Sequence, residues 1–344
     1  MKIVVLAGGI STERDVSLVS GKGIYRALIE KGHKAILMDV FLGYDEDDWE
    51  NVFEKEADWA KSVENVGLKN PDLEKVKALR PGWEKDFFGP HVLDICRNAD
   101  LVFMGLHGEN GENGKIQAAF DLFGIKYTGT DYASSAICMN KGIAKDLFKT
   151  WDIPTPAGIH IKKGESLPDK VPYPCIVKSC CGGSSVGCSR ASNDEEYKRA
   201  LDEAFKYDDE VVIEQYIKGR EFSVGVIDGK AYPVIEIAPV SGFYNYESKY
   251  QAGAAIETCP AELGDEKTAE MQRIAEKVFK VLRLKKYARM DFMMDEDEKI
   301  YCLEANTLPG MTPTSLLPQE TAAVGISYAD LCEMIVEQAM EMKN

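Results

Sequence analysis

The chain has 344 residues, 45% of them hydrophobic, so it can bury a substantial core, and its length predicts two or three lobes rather than one. Aspartate and glutamate outnumber lysine and arginine by 57 to 41, and the formal net charge of −16 argues against a broad contact surface for nucleic acid or an anionic membrane. No apolar run reaches transmembrane length, and Gly8-Gly9 follows too early for a signal-peptide core, so we expect a cytoplasmic protein.

Nine cysteines occur, an odd number, and several lie inside apolar runs such as Cys175-Ile176-Val177. This usage is typical of reduced thiols rather than of a disulfide framework. The Cys180-Cys181 pair and Cys188 lack the paired spacing of a zinc site, so a metal role is the weaker interpretation. We expect inert thiols there, with oxidation of Cys180 and Cys181 as the alternative.

The N-terminal part of the chain predicts an open α/β sheet. Its patterns indicate a strand, a helix and two further strands, at residues 2–6, 15–31, 35–40 and 100–106. Glycine-rich loops follow the first and last of these strands, at Gly8-Gly9 and at 107–111, and such loops gather at the ligand-binding edge of a parallel sheet. Residues 43–92 suggest no chemistry, and we expect them to cover the sheet with helices or to contact another subunit.

The rest of the chain predicts two further lobes. The second holds a helix, ended by prolines, and two strands that enclose a glycine-rich turn, at residues 140–151, 174–178 and 210–216. The third holds strands, a long loop, a helix and a hairpin, at residues 221–237, 239–260, 265–282 and 287–306. The predicted domains are therefore 1–139, 140–219 and 220–344.

The hairpin is the most informative segment. Two alternating segments flank an acidic turn, in the order 287–294, 295–298 and 299–306. Pairing across that turn places Arg289 opposite Glu304. It also places Asp291 opposite Cys302, while the apolar residues point to the other face: Met290, Phe292, Tyr301 and Leu303.

One face of this hairpin carries polar side chains suited to a metal nucleotide: Arg289, Asp291, Glu304 and Asn306. Carboxylate and amide oxygens are ligands that Mg²⁺ accepts, and this ion usually keeps waters and substrate phosphates as its other partners. The alternative is an ordinary cross-strand ion pair between Arg289 and Glu304 on a solvated face.

A glycine-rich run at 182–187 follows shortly after Lys178, which ends a predicted strand. Small residues let backbone N–H groups close over phosphate oxygens, and a lysine neutralises their charge. This is not a Walker A loop, because the lysine precedes the glycines, and a plain turn is the alternative. Residues 214–217 then predict a strand that leads into a hinge, whose backbone can bind an adenine edge.

The order of these parts resembles the ATP-grasp fold: a lysine after the first lobe, a lysine before the glycine run, hinge carboxylates and the metal hairpin. Within that fold the chain resembles the D-alanine–D-alanine ligase family, outside residues 43–92. The resemblance rests on five motifs in the family's order: 8–17, 107–114, 183–187, 246–250 and 303–312. It implies an α/β, three-lobed ATP-grasp fold with an N-terminal open α/β domain.

The resemblance implies ATP-dependent joining of two D-alanines through an acyl phosphate, for peptidoglycan synthesis. It implies two Mg²⁺ ions, replaceable by Mn²⁺, with Glu304 bridging both and with Asp291 and Asn306 each holding one. It assigns Arg289 and the Gly310 N–H to the tetrahedral oxyanion. The implied ATP contacts are Lys141, Lys178, Glu214, Ile217, Glu221 and Lys249.

For the first amino acid, the resemblance implies Glu13 as the partner of the ammonium group, with His107 close by. Taken singly, Glu13 at a helix N-terminus and His107 at a turn have simpler interpretations as stabilising and capping residues. Ser184 and Tyr250 are implied to close the site together with Glu13.

For the second amino acid, the resemblance implies Ser315 at its carboxylate and Leu316 against its side chain. Lys249-Tyr250 is implied to lie in a mobile lid that excludes water, and this pair favours an amine nucleophile. D-alanine and D-serine both satisfy that requirement. The residues Pro313-Thr314 depart from the family pattern, which puts a strict preference for D-alanine in doubt.

Three functions therefore remain in order of preference. The first is a D-alanine–D-alanine ligase, the second a D-alanine–D-serine ligase of the vancomycin-resistance type, and the third a nucleotide-binding protein without turnover. A hydrophobic pocket rejects an added hydroxyl by only about a hundredfold, so the first two are hard to separate by inspection. The resemblance also implies a homodimer formed through the N-terminal lobe.

Overall fold

The computed structural model describes residues 1–64, 71–167, 171–183, 187–239 and 255–341. Its helices are α1 (Arg14–Glu30), α2 (Leu73–Ala78), α3 (Val92–Asn98), α4 (Glu109–Glu112), α5 (Lys115–Phe123), α6 (Tyr132–Met139), α7 (Lys141–Thr150), α8 (Asp194–Ala204), α9 (Asp265–Val281), α10 (Leu316–Ala322) and α11 (Tyr328–Glu341). Its strands are β1 (Lys2–Ala7), β2 (Lys34–Asp39), β3 (Leu101–Met104), β4 (Gly158–Lys162), β5 (Cys175–Ser179), β6 (Cys188–Ala191), β7 (Glu210–Gln215), β8 (Gly219–Ile227), β9 (Lys230–Ala231), β10 (Ile235–Pro239), β11 (Ala255–Thr258), β12 (Tyr287–Asp295) and β13 (Ile300–Asn306).

The first sheet is parallel, with the strand order β2-β1-β3. Its central strand is apolar, and Val4 pairs with Ile36 on one side and with Val102 on the other. Helix α1 connects β1 to β2 and packs on both, as a crossover between parallel strands requires. The C-terminal helix α11 packs Leu331 and Ile335 into the same core. The predicted strand, helix, strand opening is confirmed.

The described part of segment 43–92 covers this core with short helices and aromatic side chains. Two 3₁₀ helices, Trp49–Glu54 and Trp83–Lys85, accompany α2. Val52 and Phe53 are buried in the core. Arg80 donates hydrogen bonds to four backbone carbonyls, those of Phe41, Asp86, Phe87 and Phe88. The expected helical covering is confirmed, and the expected subunit contact stays a prediction.

The second sheet is antiparallel, with the order β4-β7-β5-β6, and α8 packs against β5 and β6. Both predicted strands, 174–178 and 210–216, are present within a residue of their expected limits. The glycine-rich run connects β5 to β6, a strand that the sequence did not predict. Four residues with only Ala191 fully buried give too short a pattern to recognise.

The third sheet has the order β11-β10-β8-β12-β13, and β9 pairs with β8. Helix α9 packs Met271, Ala275 and Val278 against its core face, where Phe292 is fully buried. The sequence predicted a loop over residues 239–260, and the structure instead places β11 at Ala255–Thr258, paired with β10. That part of the loop prediction was wrong, because β11 is a four-residue edge strand with little burial to mark it.

The predicted hairpin forms, and residues 296–299 make its turn. Its register differs from the predicted one, since Arg289 pairs with Asn306 and Asp291 pairs with Glu304. The predicted pairs of Arg289 with Glu304 and of Asp291 with Cys302 were therefore wrong. A β-bulge between Asp291 and the next residue shifts the ladder, and strict alternation cannot predict such a shift.

The same bulge changes which residues reach the core. Cys302 pairs with Phe292 and is fully buried, although the prediction placed it on the polar face. Tyr301 and Leu303 were expected in the core and are only partly buried. One extra residue thus keeps apolar side chains on one face while Glu304 stays on the other.

No helix in the described ranges is both long and apolar enough to cross a membrane. The described chain contains three sheets with their own helices, and α11 joins the core of the first sheet although it lies at the other end of the chain. The domain limits at residues 139 and 219 stay predictions.

Candidate active site

A cavity of about 530 Å³ is lined by residues of helix α1 and its N-cap, of the loop and short helix after β3, of the third sheet, of the glycine-rich run and of the start of α7. Polar side chains from distant parts of the sequence converge on it. The predicted site residues that line it are Glu13, His107, Lys141, Glu221, Arg289, Asp291, Glu304, Asn306, Gly310, Ser315 and Leu316. Residues proposed for two substrates, a nucleotide and a metal therefore share one space.

Glu13 lies at the start of α1, where the chain leaves the glycine turn after β1. It is the N-cap residue of that helix and only 8% exposed, but its side chain makes no capping hydrogen bond. A β-carbon on Gly108 or Gly183 would come within 2.7 or 2.8 Å of its Oε2 atom. The carboxylate thus lies at a helix N-terminus and is also closely approached by two other backbone segments.

His107 lies beside Glu13 on the loop after β3 and is 4% exposed. Its Nδ1 atom lies 2.9 Å from the Leu308 carbonyl oxygen, and its Nε2 atom lies 2.8 Å from Ser20 Oγ. Burial lowers the pKa of His107, although Glu13 acts in the opposite direction. The ring is therefore neutral at physiological pH, with both nitrogens hydrogen-bonded inside the protein.

Glu112 also lines the cavity, and the sequence analysis did not single it out beyond its place in the 107–114 motif. Its Oε2 atom accepts from the Gly108 N–H at 2.9 Å and its Oε1 atom from the Leu308 N–H at 3.2 Å. Desolvation and the nearby Glu13 raise the pKa of Glu112 to about 7. Two features of the sequence could have identified Glu112: another acidic residue in the same 107–114 motif, and its short distance along the chain from His107.

The polar face of the hairpin is organised around Asp291, which is 8% exposed. Arg289 donates from Nε to Oδ1 at 2.9 Å and from Nη2 to Oδ2 at 2.8 Å. Asn306 Nδ2 donates to Oδ2 at 2.9 Å, and Ser223 Oγ donates to Oδ1 at 2.9 Å. Arg289 therefore pairs with Asp291 on its own strand, and the cross-strand ion pair with Glu304 stays a prediction.

Lys141 connects this hairpin to the glycine-rich run. Its Nζ atom donates to the Gly182 carbonyl at 2.8 Å and lies 3.4 Å from Glu304 Oε2. Lys141 begins α7, which Asn140 caps by accepting from the Ile143 N–H at 3.0 Å. The helix therefore holds the first lysine at the cavity wall, as the order of motifs predicted.

Lys178 and Glu214 form a buried ion pair next to this cavity but are not among the residues that line it. Glu214 lies between two lysines, 2.6 Å from Lys178 Nζ and 2.5 Å from Lys145 Nζ. Burial opposes the charged form of Glu214, but the two lysines outweigh it and lower its pKa. Burial likewise opposes the charge of Lys178, yet Glu214 and then Glu304 raise its pKa overall.

Lys145 is the second cation of this buried ion pair, although it does not line the cavity and was not predicted from the sequence. It is 3% exposed and also donates to Thr155 Oγ1 at 2.8 Å. Burial lowers its pKa in spite of Glu214. Its position four residues after Lys141, on the same helix face, was the available signal. Ile217, the predicted hinge residue, is buried and also lies outside the cavity lining.

The opposite end of the cavity is formed by the loop after β13 and the start of α10. A β-carbon on Gly310 would come within 2.9 Å of Ser315 Oγ, so any side chain at this position would displace the Ser315 hydroxyl. Ser315 Oγ also accepts from the Thr312 N–H at 3.0 Å. Nearby, Gln319 donates to Glu257 and, at 2.8 Å, to the Thr314 carbonyl. This end is therefore polar and closely packed.

Three predicted residues, Ser184, Lys249 and Tyr250, lie outside the described residues. Across the ranges that are described, no group of three or more His, Cys, Asp or Glu side chains is arranged to hold a metal ion. Asp291, Glu304 and Asn306 instead offer two carboxylates and an amide on one hairpin face. These are hard oxygen donors, which suit Mg²⁺ together with phosphate and water rather than a cage made of protein alone.

The fold and the cavity identify the class of the protein. Its structure is similar to that of a D-alanine–D-alanine ligase from Bacillus anthracis complexed with ATP, with a TM-score of 0.74 and 30% identity over 99% of this chain and 97% of that one. The fold is thus the ATP-grasp fold of ATP-dependent ligases, as the order of its motifs predicted.

The family follows from the sequence comparison. Family models described as the D-ala D-ala ligase N-terminus and C-terminus match residues 2–130 and 140–337. A D-alanine–D-alanine ligase from Pediococcus pentosaceus is 44% identical over 98% of this chain and 97% of its own length. One from Lacticaseibacillus casei is 42% identical over 99% and 96%. The chain belongs to the D-alanine–D-alanine ligase family.

Proposed function

We infer that this protein joins two molecules of D-alanine into D-alanyl-D-alanine at the expense of ATP, for cell-wall synthesis. The observation that carries this inference is the single cavity that brings together Glu13, Lys141 and the Arg289 hairpin. It offers an anion for an ammonium group and cations for phosphate and carboxylate. Membership of the ligase family supports the same reaction.

The reaction needs two steps because a carboxylate is a poor acceptor for an amine. In the first step, a carboxylate oxygen of the first D-alanine attacks the γ-phosphorus of ATP, and ADP leaves. In the second, the uncharged amine of the second D-alanine attacks the acyl carbon, phosphate leaves and the amine nitrogen loses a proton. Both transition states gather negative charge on oxygen, so cations and N–H donors at the site lower both barriers.

The ATP end of the site is proposed to use the lysines and carboxylates that flank the hinge. Lys141 faces Glu304 across the cavity, and Lys178 lies close enough to Glu304 for its charge to be stabilised. We propose that both lysines bind phosphate oxygens, and their charges near Glu304 support this role. The further residues that we propose to contact ATP are Glu214, Ile217 and Glu221 together with Lys249, which lies outside the described residues.

Asp291, Glu304 and Asn306 are proposed to hold two Mg²⁺ ions, for which Mn²⁺ can substitute. Bound there, the ions would supply positive charge to the phosphoryl oxygens. The protein's own part is to orient its ligands, and Asp291 is oriented by hydrogen bonds from Arg289 and Ser223. Asp291 accepts four hydrogen bonds in all, from Arg289, Asn306 and Ser223, so a metal bound there would take the place of one of these donors.

The first D-alanine is proposed to place its ammonium group at Glu13, in the space bounded by His107. Gly183 approaches the Glu13 carboxylate closely, so the glycine-rich run that carries Ser184 reaches this end of the cavity. We propose that Ser184 and Tyr250 close the site there. Arg289 and the Gly310 N–H are proposed to stabilise the oxyanion that forms on the first substrate.

The second D-alanine is proposed to bind between Ser315, at its carboxylate, and Leu316, at its methyl group. D-serine is the alternative second substrate, and the polar residues around this part of the cavity support that alternative. Thr312 and Thr314 line the cavity beside Ser315, and Glu257 lines it from β11. Hydroxyl and carboxylate groups of this kind can hydrogen-bond the extra hydroxyl of D-serine.

We also propose domains with limits at residues 139 and 219, supported by the three separate sheets. A cytoplasmic location and a homodimer formed through the N-terminal domain are proposed on the family resemblance. Size-exclusion chromatography with light scattering tests the dimer, because it measures the mass of the particle in solution.

Mass spectrometry of the products tests the function. Purified protein is given ATP, Mg²⁺ and equal concentrations of D-alanine and D-serine, with D-lactate in a parallel reaction. We expect D-alanyl-D-alanine and one ADP per dipeptide. Predominant D-alanyl-D-serine would favour the alternative second substrate, and ADP without dipeptide would contradict the proposed reaction. A Glu304→Gln variant, which removes one charge of the hairpin at constant size, serves as the inactive control.

A further inference from the structure

The loop from Leu308 to Met311 carries Gly310 and is held at both of its ends by the N-terminal part of the chain. At one end, both peptide groups of Leu308 are bonded, the N–H to Glu112 at 3.2 Å and the carbonyl to His107 at 2.9 Å. At the other end, the Met311 N–H donates to Ser20 Oγ at 3.3 Å. Gly310 lies between these two anchored residues.

The hydrogen bonds of this arrangement have a defined direction. A carbonyl oxygen only accepts, so His107 Nδ1 carries the proton that it donates to Leu308. In the neutral ring Nε2 must then accept, and it accepts from the Ser20 hydroxyl at 2.8 Å. Ser20 Oγ in turn accepts from the Met311 N–H. One continuous chain thus runs from Met311 through Ser20 and His107 to Leu308.

The anchors are buried, so water does not compete with these bonds. Ser20 is 0% exposed, His107 4%, Leu308 3% and Met311 1%. Tyr328 adds a bond from its hydroxyl to the Met311 carbonyl. A loop bonded at both ends inside a protein has little freedom to rotate its central peptide groups.

We propose that Ser20, His107 and Glu112 are positioning residues that hold the Leu308–Met311 loop so that the Gly310 N–H points at the reacting oxygen. This inference rests on the oxyanion role proposed for Gly310. It gives a function to Ser20, which has no role in substrate binding above. It also explains why the ring nitrogens of His107 are bonded to the protein rather than left for a substrate.

The proposal predicts a particular kinetic signature. Displacement of a reacting group by about 1 Å can lower the rate about a hundredfold, while ATP binding at the other end of the cavity is untouched. Ser20→Ala removes the central link of the chain without adding volume. We expect kcat for dipeptide formation to fall between about tenfold and a hundredfold, with KM for ATP unchanged within about twofold.

Ser134→Ala is the matched control. Ser134 is also a buried helical serine, and its hydroxyl donates to the Arg283 carbonyl at 2.9 Å, so it too connects the N-terminal and C-terminal parts of the chain. It does not bond the Leu308–Met311 loop. We expect both variants to lose similar thermal stability, but only Ser20→Ala to lose kcat.

A second variant, Glu112→Gln, keeps the side-chain size and replaces one acceptor oxygen by an NH₂ group, which cannot accept from a backbone N–H. We expect the same fall in kcat. Full kcat in folded Ser20→Ala, or an equal loss of kcat in Ser134→Ala, would overturn the proposal. Wild-type protein that forms no dipeptide would instead contradict the proposed function itself.

Discussion

Glu214 and Glu320 are both buried carboxyl groups near the active site, 3% and 0% exposed, and their surroundings differ in one respect. Glu214 lies between the ammonium groups of Lys178 and Lys145. Glu320, on α10, accepts from the Gly225 backbone N–H at 2.5 Å, and its Oε1 atom has no hydrogen-bond partner within the described residues. A full positive charge stabilises a buried carboxylate far better than a peptide dipole does.

The pKa values follow this difference. The two lysines outweigh burial and lower the pKa of Glu214, whereas burial raises the pKa of Glu320 to about 8 and the Gly225 N–H offsets little of it. Glu214 is therefore ionised at neutral pH, while Glu320 is mainly protonated. The region that we propose to bind ATP therefore contains buried ion pairs, whereas the region next to Arg289 contains a neutral carboxylic acid. Gly225, which pairs with Arg289, leaves the space that Glu320 fills.

The largest expected effect comes from Arg289, whose positive charge acts on the buried Glu320. Arg289→Ala removes the guanidinium group that we propose for the oxyanion and leaves Asp291 without two of its hydrogen bonds. We expect kcat to fall at least about 100- to 1,000-fold, the usual effect of losing one oxyanion donor, measured by coupled ADP release. Arg220→Ala, which breaks a pair with Glu236 on the same sheet, should keep nearly full activity. Full activity in Arg289→Ala would remove the basis of the mechanism.

The ion-pair region predicts the next effect, which is on stability. Glu214→Gln leaves two buried lysines without their counter-charge, so we expect the free energy of unfolding to fall by about 3–5 kcal/mol. Urea denaturation at pH 7 measures it. Glu203→Gln, which breaks the exposed pair with Lys206, should cost less than about 1 kcal/mol. An equally small effect at Glu214 would mean that its charge is not balanced by the lysines.

The neutral carboxylic acid of Glu320 predicts a smaller effect, which is a dependence of the free energy of unfolding on pH. Because the pKa of Glu320 rises on folding from its usual 4.5 to about 8, its contribution to stability is present in acid and is lost as the pH rises towards 8. Between pH 6 and pH 8 this loss amounts to about 2 kcal/mol, because the slope of about 1.4 kcal/mol per pH unit falls to about half as the pH reaches the folded pKa. Glu320→Gln should remove that dependence in urea titrations at several pH values.

The lowered pKa of Glu214 has the opposite effect on the pH dependence of stability. Its contribution to stability is present above the usual glutamate value and is lost only as the pH falls through the lowered value. Wild-type protein and Glu214→Gln should therefore differ in slope only at acidic pH. If Glu320→Gln and wild-type protein show the same slope between pH 6 and pH 8, Glu320 titrates as an ordinary glutamate.

The sequence predicted individual charged residues of these two regions better than it predicted the contacts between them. Lys141, Lys178 and Glu214 could be found because charged residues stand out in otherwise apolar strands and helices, and their order along the chain resembles a known fold. Long-range pairings were less accessible. The ion pair of Lys145 with Glu214 joins α7 to β7, and the approach of Glu320 to Gly225 joins α10 to β8. Neither pairing has a local signal in the sequence.

The hairpin shows the same limit at short range. Its two strands and its turn followed from alternation, but the β-bulge after Asp291 did not, because an inserted residue interrupts the period on which the prediction rests. The side chains that we propose as metal ligands were still predicted on one face. Asp291 and Glu304 face each other in the true register, which brings the two carboxylates closer together than the predicted register did.

The smallest expected effect concerns Gln319, which precedes Glu320 and lies near the site that we propose for the second substrate. Gln319 donates from Nε2 to the Glu257 carboxylate and to the Thr314 carbonyl. These two hydrogen bonds connect β11 to the start of α10. Gln319→Leu removes these bonds at similar volume. A hydrogen bond of this kind contributes about 0.5–1.5 kcal/mol, so we expect KM for the second amino acid to rise about three- to tenfold, with kcat and KM for ATP nearly unchanged. Gln272→Leu is the matched control, because Gln272 on α9 donates a hydrogen bond to the Tyr232 carbonyl at 2.9 Å. A fall in kcat without a change in KM would place Gln319 with the groups that act on the reacting atoms instead of with those that shape the second pocket.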